Sequence, residues 1–171
     1  LGGVKWGTPD CILLVTAAAF AITKDMGRGN IGGNVYELVG KLRSRGGELG
    51  VSGTLFDVLH LFGGYTYTDA KIVESVTVAN VGRQFVNIPK HSANLLATVK
   101  VGDRVEVGGQ VHYQSKIFGG TLAAGTAHVP GYVRLDAVAR WKPLDWLEAR
   151  VNVNNLTDKR YYDAIYRSGT P

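Results

Sequence analysis

The feature that most constrains the fold is an alternation of apolar and polar residues with a period of two. Between Val105 and Tyr113, every second residue is valine, glycine or tyrosine, and the residues between them are Glu, Gly, Gln and His. Successive side chains of a β-strand point to opposite faces, so this alternation predicts a strand with one apolar and one polar face. The same alternation occurs in four further segments: Leu59–Tyr67, Ala93–Val101, Val133–Trp141 and Leu147–Asn154.

Less regular strands and their connections complete the pattern. Three apolar segments bring the total to about eight strands: Leu13–Ile22, Val35–Leu42 and Glu48–Gly53. Val4–Trp6 is expected to be the end of another strand. The short connections are Gly7–Asp10, Leu55–Asp57, Gly102–Asp103 and Pro143–Asp145, and the long ones are Lys24–Asn34, Lys71–Lys90 and Phe118–Val129. Alternating short and long connections between antiparallel strands are typical of a transmembrane β-barrel, which has short periplasmic turns and long extracellular loops.

The chemistry of the two faces separates a membrane barrel from a soluble one. In a membrane barrel the apolar face contacts lipid and the polar face lines the lumen, because every backbone group must be paired within a closed sheet. A soluble β-sandwich or a lipocalin-like barrel has the same alternation, but its apolar face points to the interior and its polar face points to water. Its exposed face would usually carry more Lys and Glu than the Gly, Asn, Gln and Thr found here. The sequence therefore favours the membrane barrel.

Charge, cysteine and histidine content point to no nucleic-acid or metal site. The net charge is +5 and the pI is about 9.4, but the densest basic run, Lys41, Arg43 and Arg45, alternates with other residues. Such dispersed cations near strand ends indicate interfacial or lumenal residues, and we expect no nucleic-acid partner. Cys11 is the single cysteine, and the four histidines are dispersed. We therefore expect neither an internal disulfide nor a metal centre.

One glycine motif suggests a competing, less favoured function. Gly27, Gly29 and Gly32 match G-x-G-x-x-G, and the apolar residues of Val35–Leu42 also fit helical spacing. This combination predicts a dinucleotide-binding enzyme if a helix follows the glycines. However, four residues, 23–26, separate the preceding strand from the first glycine, which spoils the tight turn that such a site needs. No nucleophile motif is present, so we expect no enzymatic activity and no cofactor.

Several longer segments resemble one known family. The sequence V-N-V-N-N-L-T-D-K-R-Y-Y, Val151–Tyr162, resembles the penultimate-strand motif of TonB-dependent outer-membrane receptors. Three more segments agree with that family in order and spacing: Arg45–Gly50, Asn87–Asn94 and Val129–Asp136. Within the family, the chain is most similar to siderophore receptors, of the catecholate type. Near the loop end, Tyr161, Tyr162 and Tyr166 are expected to join an aromatic girdle.

The resemblance implies a fold and a function for a larger protein. Family members have a 22-stranded barrel with a plug in its lumen. Residues 1–171 are expected to be the C-terminal portion of that barrel, with the plug and the last strand absent. The resemblance implies uptake of a ferric siderophore through the outer membrane of a Gram-negative bacterium. Its partners would be outer-membrane lipid and, through the missing N-terminal region, TonB. The alternative is a self-contained eight-stranded barrel with a structural or adhesive role, closed by pairing the Val4 and Tyr161 regions.

The resemblance also implies where a ligand would bind. The loops Lys71–Lys90 and Phe118–Val129 and the segment after Tyr162 are expected to be extracellular. A ferric catecholate complex is anionic, so cations with nearby aromatic rings are the expected contacts. The candidate ligand-binding residues are Arg83, Phe85, Lys116, Phe118, Tyr162 and Arg167.

Overall fold

A computed structural model gives an all-β chain. It describes residues 2–8, 12–25, 28–32, 35–38, 40–75, 78–119 and 127–165, with only the backbone described for 28–32 and 35–38. The strands are β1 Gly2–Gly7, β2 Leu13–Asp25, β3 Arg28–Gly32, β4 Val35–Leu38, β5 Gly40–Leu55, β6 Leu59–Ser75, β7 His91–Val101, β8 Val105–Gln114, β9 Ile117–Phe118, β10 His128–Val129, β11 Tyr132–Leu144 and β12 Leu147–Val153. A 3-10 helix spans Val78–Asn80. Among these residues, no helix is long and apolar enough to cross a membrane.

Eight strands form one antiparallel sheet in the order β1-β2-β5-β6-β7-β8-β11-β12. Each strand pairs with the next strand of this sheet along the chain, which makes the sheet a meander. This confirms the prediction of about eight antiparallel strands. Tight turns connect β5 to β6, β7 to β8 and β11 to β12 at one end of the sheet. Asp57 and Gly102 have left-handed backbones in two of these turns, with φ of 59° and 66°. Both residue types tolerate that conformation, which fixes these turns at the predicted positions.

The strand β5 corrects one prediction. Val35–Leu42 and Glu48–Gly53 were expected to be separate strands, but the sheet has one 16-residue strand, Gly40–Leu55, and β4 pairs with β3 in a separate hairpin. The polar, glycine-rich residues 44–47 pair with both β2 and β6. Gly46 suits this position because a side chain there would overlap the Tyr67 carbonyl oxygen. Pairing on both sides therefore overrides the local composition.

The dinucleotide-binding alternative is wrong. Arg28–Gly32 and Val35–Leu38 are antiparallel strands, so no helix follows Gly29 and Gly32. Gly27 lies outside the described residues. Without a helix N-terminus, the segment lacks the feature that would bind a pyrophosphate. The expected long loop Lys24–Asn34 is thus partly strand, and the long loop Phe118–Val129 likewise carries strands β9 and β10 at its ends.

The two faces of the sheet differ as predicted. One cross-strand row consists of apolar residues and glycine: Trp6, Val15, Val51, Gly63, Leu95, Val111 and Leu135. The neighbouring row, on the opposite face, is mostly polar: Lys5, Thr16, Gly50, Gly64, Asn94, His112 and Arg134. We call these the outward face and the lumenal face. Leu95 and Val111 are each about two-fifths exposed, and within the described residues no second layer covers the outward face. A soluble sandwich would bury such a face.

The sheet is open in the described part of the chain. β1 pairs only with β2 and β12 only with β11, and residues 154–165 form no strand. The expected pairing of the Val4 and Tyr161 regions is therefore not formed, and the self-contained eight-stranded barrel is not favoured. A segment of a larger barrel has two such edges of unpaired backbone, here at β1 and β12.

Candidate functional site at the loop end of the sheet

Three connecting segments meet at Asn87, at the end of the sheet opposite the tight turns. The Asn87 N–H donates to the Phe118 carbonyl oxygen at 3.0 Å. Its side chain binds both backbone groups of Ile165: Nδ2 donates to the carbonyl oxygen at 2.8 Å, and Oδ1 accepts from the N–H at 2.9 Å. Asn87 has φ of 56°, a left-handed conformation that asparagine tolerates. This one residue therefore connects the segments that follow β6, β8 and β12.

A small apolar cluster lies beside Asn87. Ile117 of β9, Val129 of β10 and Ile165 pack together, and each is at least 96% buried. Gly119 contacts the Ile165 side chain so closely that a Cβ at this position would clash with it. The loops at this end are thus packed against one another rather than separately solvated.

Alternate residues of β11 present a polar and aromatic cluster on the lumenal face. Arg134 donates to Asp136 through Nε at 3.1 Å and Nη2 at 3.0 Å, and through Nη1 to the Tyr161 hydroxyl at 3.2 Å. The Tyr132 and Tyr161 rings stack at 4.4 Å, and the Tyr132 hydroxyl donates to Asp163.

At a turn at Asn155 the chain leaves the sheet after β12 and continues towards the loop end over the lumenal face of β11. The Asn155 N–H donates to Asp136 Oδ1 at 2.7 Å, and its side chain binds both the N–H and the carbonyl group of Lys159. Asn155 and Asp158 have left-handed backbones. This geometry ends β12 at Val153 and brings Tyr161 over the lumenal face. The prediction that Tyr161 joins an outward girdle is therefore wrong, and Tyr166 lies outside the described residues.

The lumenal face also holds a cavity of about 480 Å³ nearer the tight turns. Glu106 accepts from Arg140 at 2.6 Å and from the Thr98 hydroxyl at 2.5 Å. The charges of Glu106 and Arg140 balance each other, and the Thr98 hydroxyl adds a hydrogen bond, as expected for a polar wall that faces water or another polar surface. In the described ranges, no three His, Cys, Asp or Glu side chains are grouped so that they could hold a metal ion.

Comparison with known proteins identifies the fold. The family model for the TonB dependent receptor-like β-barrel matches residues 2–156. The chain belongs to the TonB-dependent receptor β-barrel family. It is 35% identical over 176 residues to the probable TonB-dependent siderophore receptor PiuA of Acinetobacter baumannii, covering 97% of this chain and 23% of that relative. The chain thus spans about a quarter of the length of such relatives.

Similarity to solved structures supports the assignment of the chain to the TonB-dependent receptor family. The crystal structure of the siderophore receptor PiuA from Acinetobacter baumannii matches with a TM-score of 0.87 and 35% identity, over 97% of this chain and 25% of that one. The closed form of the ferric-catecholate import receptor Fiu from Escherichia coli K12 matches with a TM-score of 0.81 and 27% identity, over 98% and 24%. The strands described above are therefore those of an outer-membrane β-barrel of a Gram-negative bacterium.

In this TonB-dependent receptor barrel, the predicted ligand-binding residues lie in the converging segments. The Lys116 ammonium lies 5.4 Å from the centre of the Phe118 ring, and the His128 ring lies 6.1 Å from the same ring. Arg83 and Phe85 pair through their backbones with Ile72 and Ala70 of β6. Tyr162 is 54% exposed, and Arg167 lies outside the described residues.

The structure brings some of these residues together and adds others. Lys116 and Phe118 form a cation–π pair, and Asn87 joins the segment that carries Phe85 to the one that carries Phe118. The sequence analysis missed Asn87 and Arg134 as members of this receptor's loop-end cluster. The alternation in β11 could have placed Arg134, but the partners of Asn87 are too distant in the chain to be predicted.

Proposed function

We propose that the protein is part of an outer-membrane receptor that takes up ferric siderophores with energy delivered through TonB. The observation that carries this proposal is the family match along residues 2–156, and the likeness to PiuA supports it. In this proposal, residues 1–171 form the C-terminal portion of a larger barrel. The plug, the last strand and the N-terminal region that contacts TonB belong to other parts of the receptor. The protein carries its cargo without a catalytic step or a cofactor.

The ligand site we propose lies at the loop end, on the lumenal side. The Lys71–Gln84 bridge puts those two residues on one face, so Arg83 and Phe85 lie on the opposite, lumenal face. Lys116 and Phe118 supply a second cation and a second ring from the next loop. Together with Tyr162 and Arg167, these residues suit an anionic, aromatic ligand. A ferric catecholate has that chemistry, and Fiu is named for importing one.

Uptake by the complete receptor tests the function. A strain that lacks the receptor gene is complemented with the wild-type gene and supplied with radioactive ferric catecholate under iron limitation. We expect iron accumulation that stops when the tonB gene is deleted. Accumulation that is equal with and without the receptor gene would contradict the proposal.

Binding to the purified complete receptor tests the site separately. Lys116→Ala removes a cation beside Phe118, and we expect at least about tenfold weaker binding of a ferric catecholate, since a hydrogen bond to a charged group contributes about 1.5–3 kcal/mol. Lys142→Ala is the matched control, because Lys142 is an exposed lysine near the tight turns. Equal losses in both variants would mean that overall charge, rather than the loop site, governs affinity.

A further inference from the structure

The upper part of the outward face is charged instead of apolar. Two cross-strand rows continue the outward face towards the loops: Ala21, Arg45 and Asp69, and then Thr23, Arg43 and Lys71. The row nearer the tight turns, with Ala19, Gly47 and Tyr67, carries no charge. The three residues of the basic run, Lys41, Arg43 and Arg45, alternate along β5 in unbroken register with β2, so all three face away from the lumen and the loop-end site does not use them.

The height of these rows matches the lipid headgroup region. Leu59 begins β6 at the tight-turn end, and Asp69 lies ten residues further along the strand. At about 3.3 Å per residue and a strand tilt of about 40°, this separation is about 25 Å along the barrel axis. The apolar band of outer-membrane barrels is also about 25 Å tall. Arg45, Arg43 and Lys71 therefore lie at the outer edge of the hydrocarbon layer.

Asp69 holds two of the cations side by side. Its carboxylate is 3.1 Å from Lys71 Nζ and 3.5 Å from Arg45 Nε, and the residue is only 8% exposed. The two cationic side chains remain 39% and 57% exposed. In these two rows, three cations including Arg43 face one carboxylate. The next row towards the loops, Asp25, Lys41 and Glu74, adds one cation and two carboxylates, so the three rows together keep a surplus of one positive charge. Fixing the two side chains in advance lowers the entropy lost when they bind an anion.

An apolar groove of about 510 Å³ lies directly below these cations. Ala17, Ala19 and Gly47 form its floor, and Tyr65 and Tyr67 form one wall. A second depression, of about 540 Å³, includes Ala21, Arg45, Tyr67 and Asp69 and thus joins the groove to the cations. Gly2, Ala19 and Gly47 are small residues in register on β1, β2 and β5, and they leave room for a chain of methylene groups between larger neighbours.

We propose that this surface binds a phosphate-bearing lipid of the outer leaflet. The phosphate lies on Arg43, Arg45 and Lys71, and one acyl chain lies in the groove. Guanidinium groups bind phosphate oxygens with paired hydrogen bonds, and cations at a membrane surface attract anionic lipid headgroups. A lipid fits better than a soluble anion because the groove and the cations are continuous and stand at the heights of acyl chains and headgroups.

The test is native mass spectrometry of the complete receptor, purified in mild detergent and titrated with diphosphoryl lipid A. The main variant is Arg45→Gln combined with Asp69→Asn and Lys71→Gln, so that no carboxylate is left buried without a cation. A second variant, Ala19→Trp, fills the groove without changing charge. The control, Lys100→Gln with Lys142→Gln, removes two cations from exposed positions near the tight turns. A heat-modifiability gel verifies that each variant is folded.

We expect the triple variant to bind the lipid at least about tenfold more weakly and Ala19→Trp several-fold more weakly, with the control unchanged. Excess inorganic phosphate should leave most of the wild-type complex intact, because the acyl chain contributes to binding. Equal binding by wild type and the triple variant would overturn the proposal, as would an equal loss in the control. Complete displacement by inorganic phosphate would show an anion site without a lipid and would also overturn it. None of these results depends on siderophore uptake.

Discussion

Replacing Asn87 with glycine should release the segment after β12 without disturbing the sheet. Asn87 has a left-handed backbone, which glycine adopts without strain, so Asn87→Gly removes only the side chain. The side chain makes two hydrogen bonds to Ile165, and each contributes about 1 kcal/mol net. Glycine adds about 0.5 kcal/mol through the greater freedom of the open loop. The local opening free energy should therefore fall by about 2–3 kcal/mol, which corresponds to an opened population about 30- to 150-fold larger.

Hydrogen–deuterium exchange on the complete receptor measures this change. Peptides covering residues 161–165 should exchange faster in Asn87→Gly by that factor, because the Ile165 N–H loses its acceptor. Peptides from β7 and β8 should be unchanged, since their ladder does not involve the Asn87 side chain. Exchange at 161–165 that stays at the wild-type rate in a folded variant would refute the inference that Asn87 holds the segment after β12 in place.

Asn155→Gly is the matched control. Asn155 is also left-handed and also binds two backbone groups, but both belong to Lys159, within the same turn. We expect faster exchange confined to residues 155–160, with Ile165 still protected by Asn87. Faster exchange across both segments in both variants would indicate that residues 154–165 open as one unit, and that the contributions of the two asparagines cannot be separated.

Two further comparisons test the assignment of the faces and the register. Leu95→Lys puts a charge in the middle of the outward face and should destabilise the barrel by about 2–4 kcal/mol. Asn94→Lys, one residue earlier on the lumenal face, should have little effect. Urea titration in lipid vesicles measures both unfolding free energies, and equal destabilisation by the two variants would contradict the assignment of the faces. Gly46→Ala should lower the folded fraction on a heat-modifiability gel because its Cβ would overlap the Tyr67 carbonyl oxygen. Gly47→Ala should fold normally, since a Cβ at this position would lie 3.5 Å from its nearest neighbour, the Ala18 carbonyl oxygen. A normal folded fraction for both variants would refute the close approach at Gly46.

The sheet could be predicted from sequence because its signals are local. A period of two needs only the strand itself, and the tight turns have residues that tolerate left-handed backbones, such as Asp57 and Gly102. The prediction was wrong where pairing with neighbours outweighs composition. Residues 44–47 resemble a loop, yet β2 and β6 hold them in the middle of β5. That information lies in the neighbouring strands and not in the segment itself.

The loop-end site could be predicted only in part, because its contacts are distant in sequence. Lys116 and Phe118 are two residues apart, so alternation alone places them on one side of a strand. Asn87 and Ile165 are separated by 78 positions, and no periodicity relates them. Tyr161 was expected in an aromatic girdle because it lies towards the loop end, but the turn at Asn155 ends the strand and directs the chain onto the lumenal face.

The register of the sheet determines which chemistry each side of the wall presents. A shift of one residue in β11 would move Arg134 and Asp136 from the lumen into lipid, and the same shift in β5 would move Arg45 from the headgroup layer to the lumen. The ion pair between Arg45 and Asp69 crosses from β5 to β6 and forms only in the observed register. The close approach at Gly46 disfavours substitutions in the same part of β5. The contacts that give the outward face its charge therefore also help to fix the register on which the lumenal site depends.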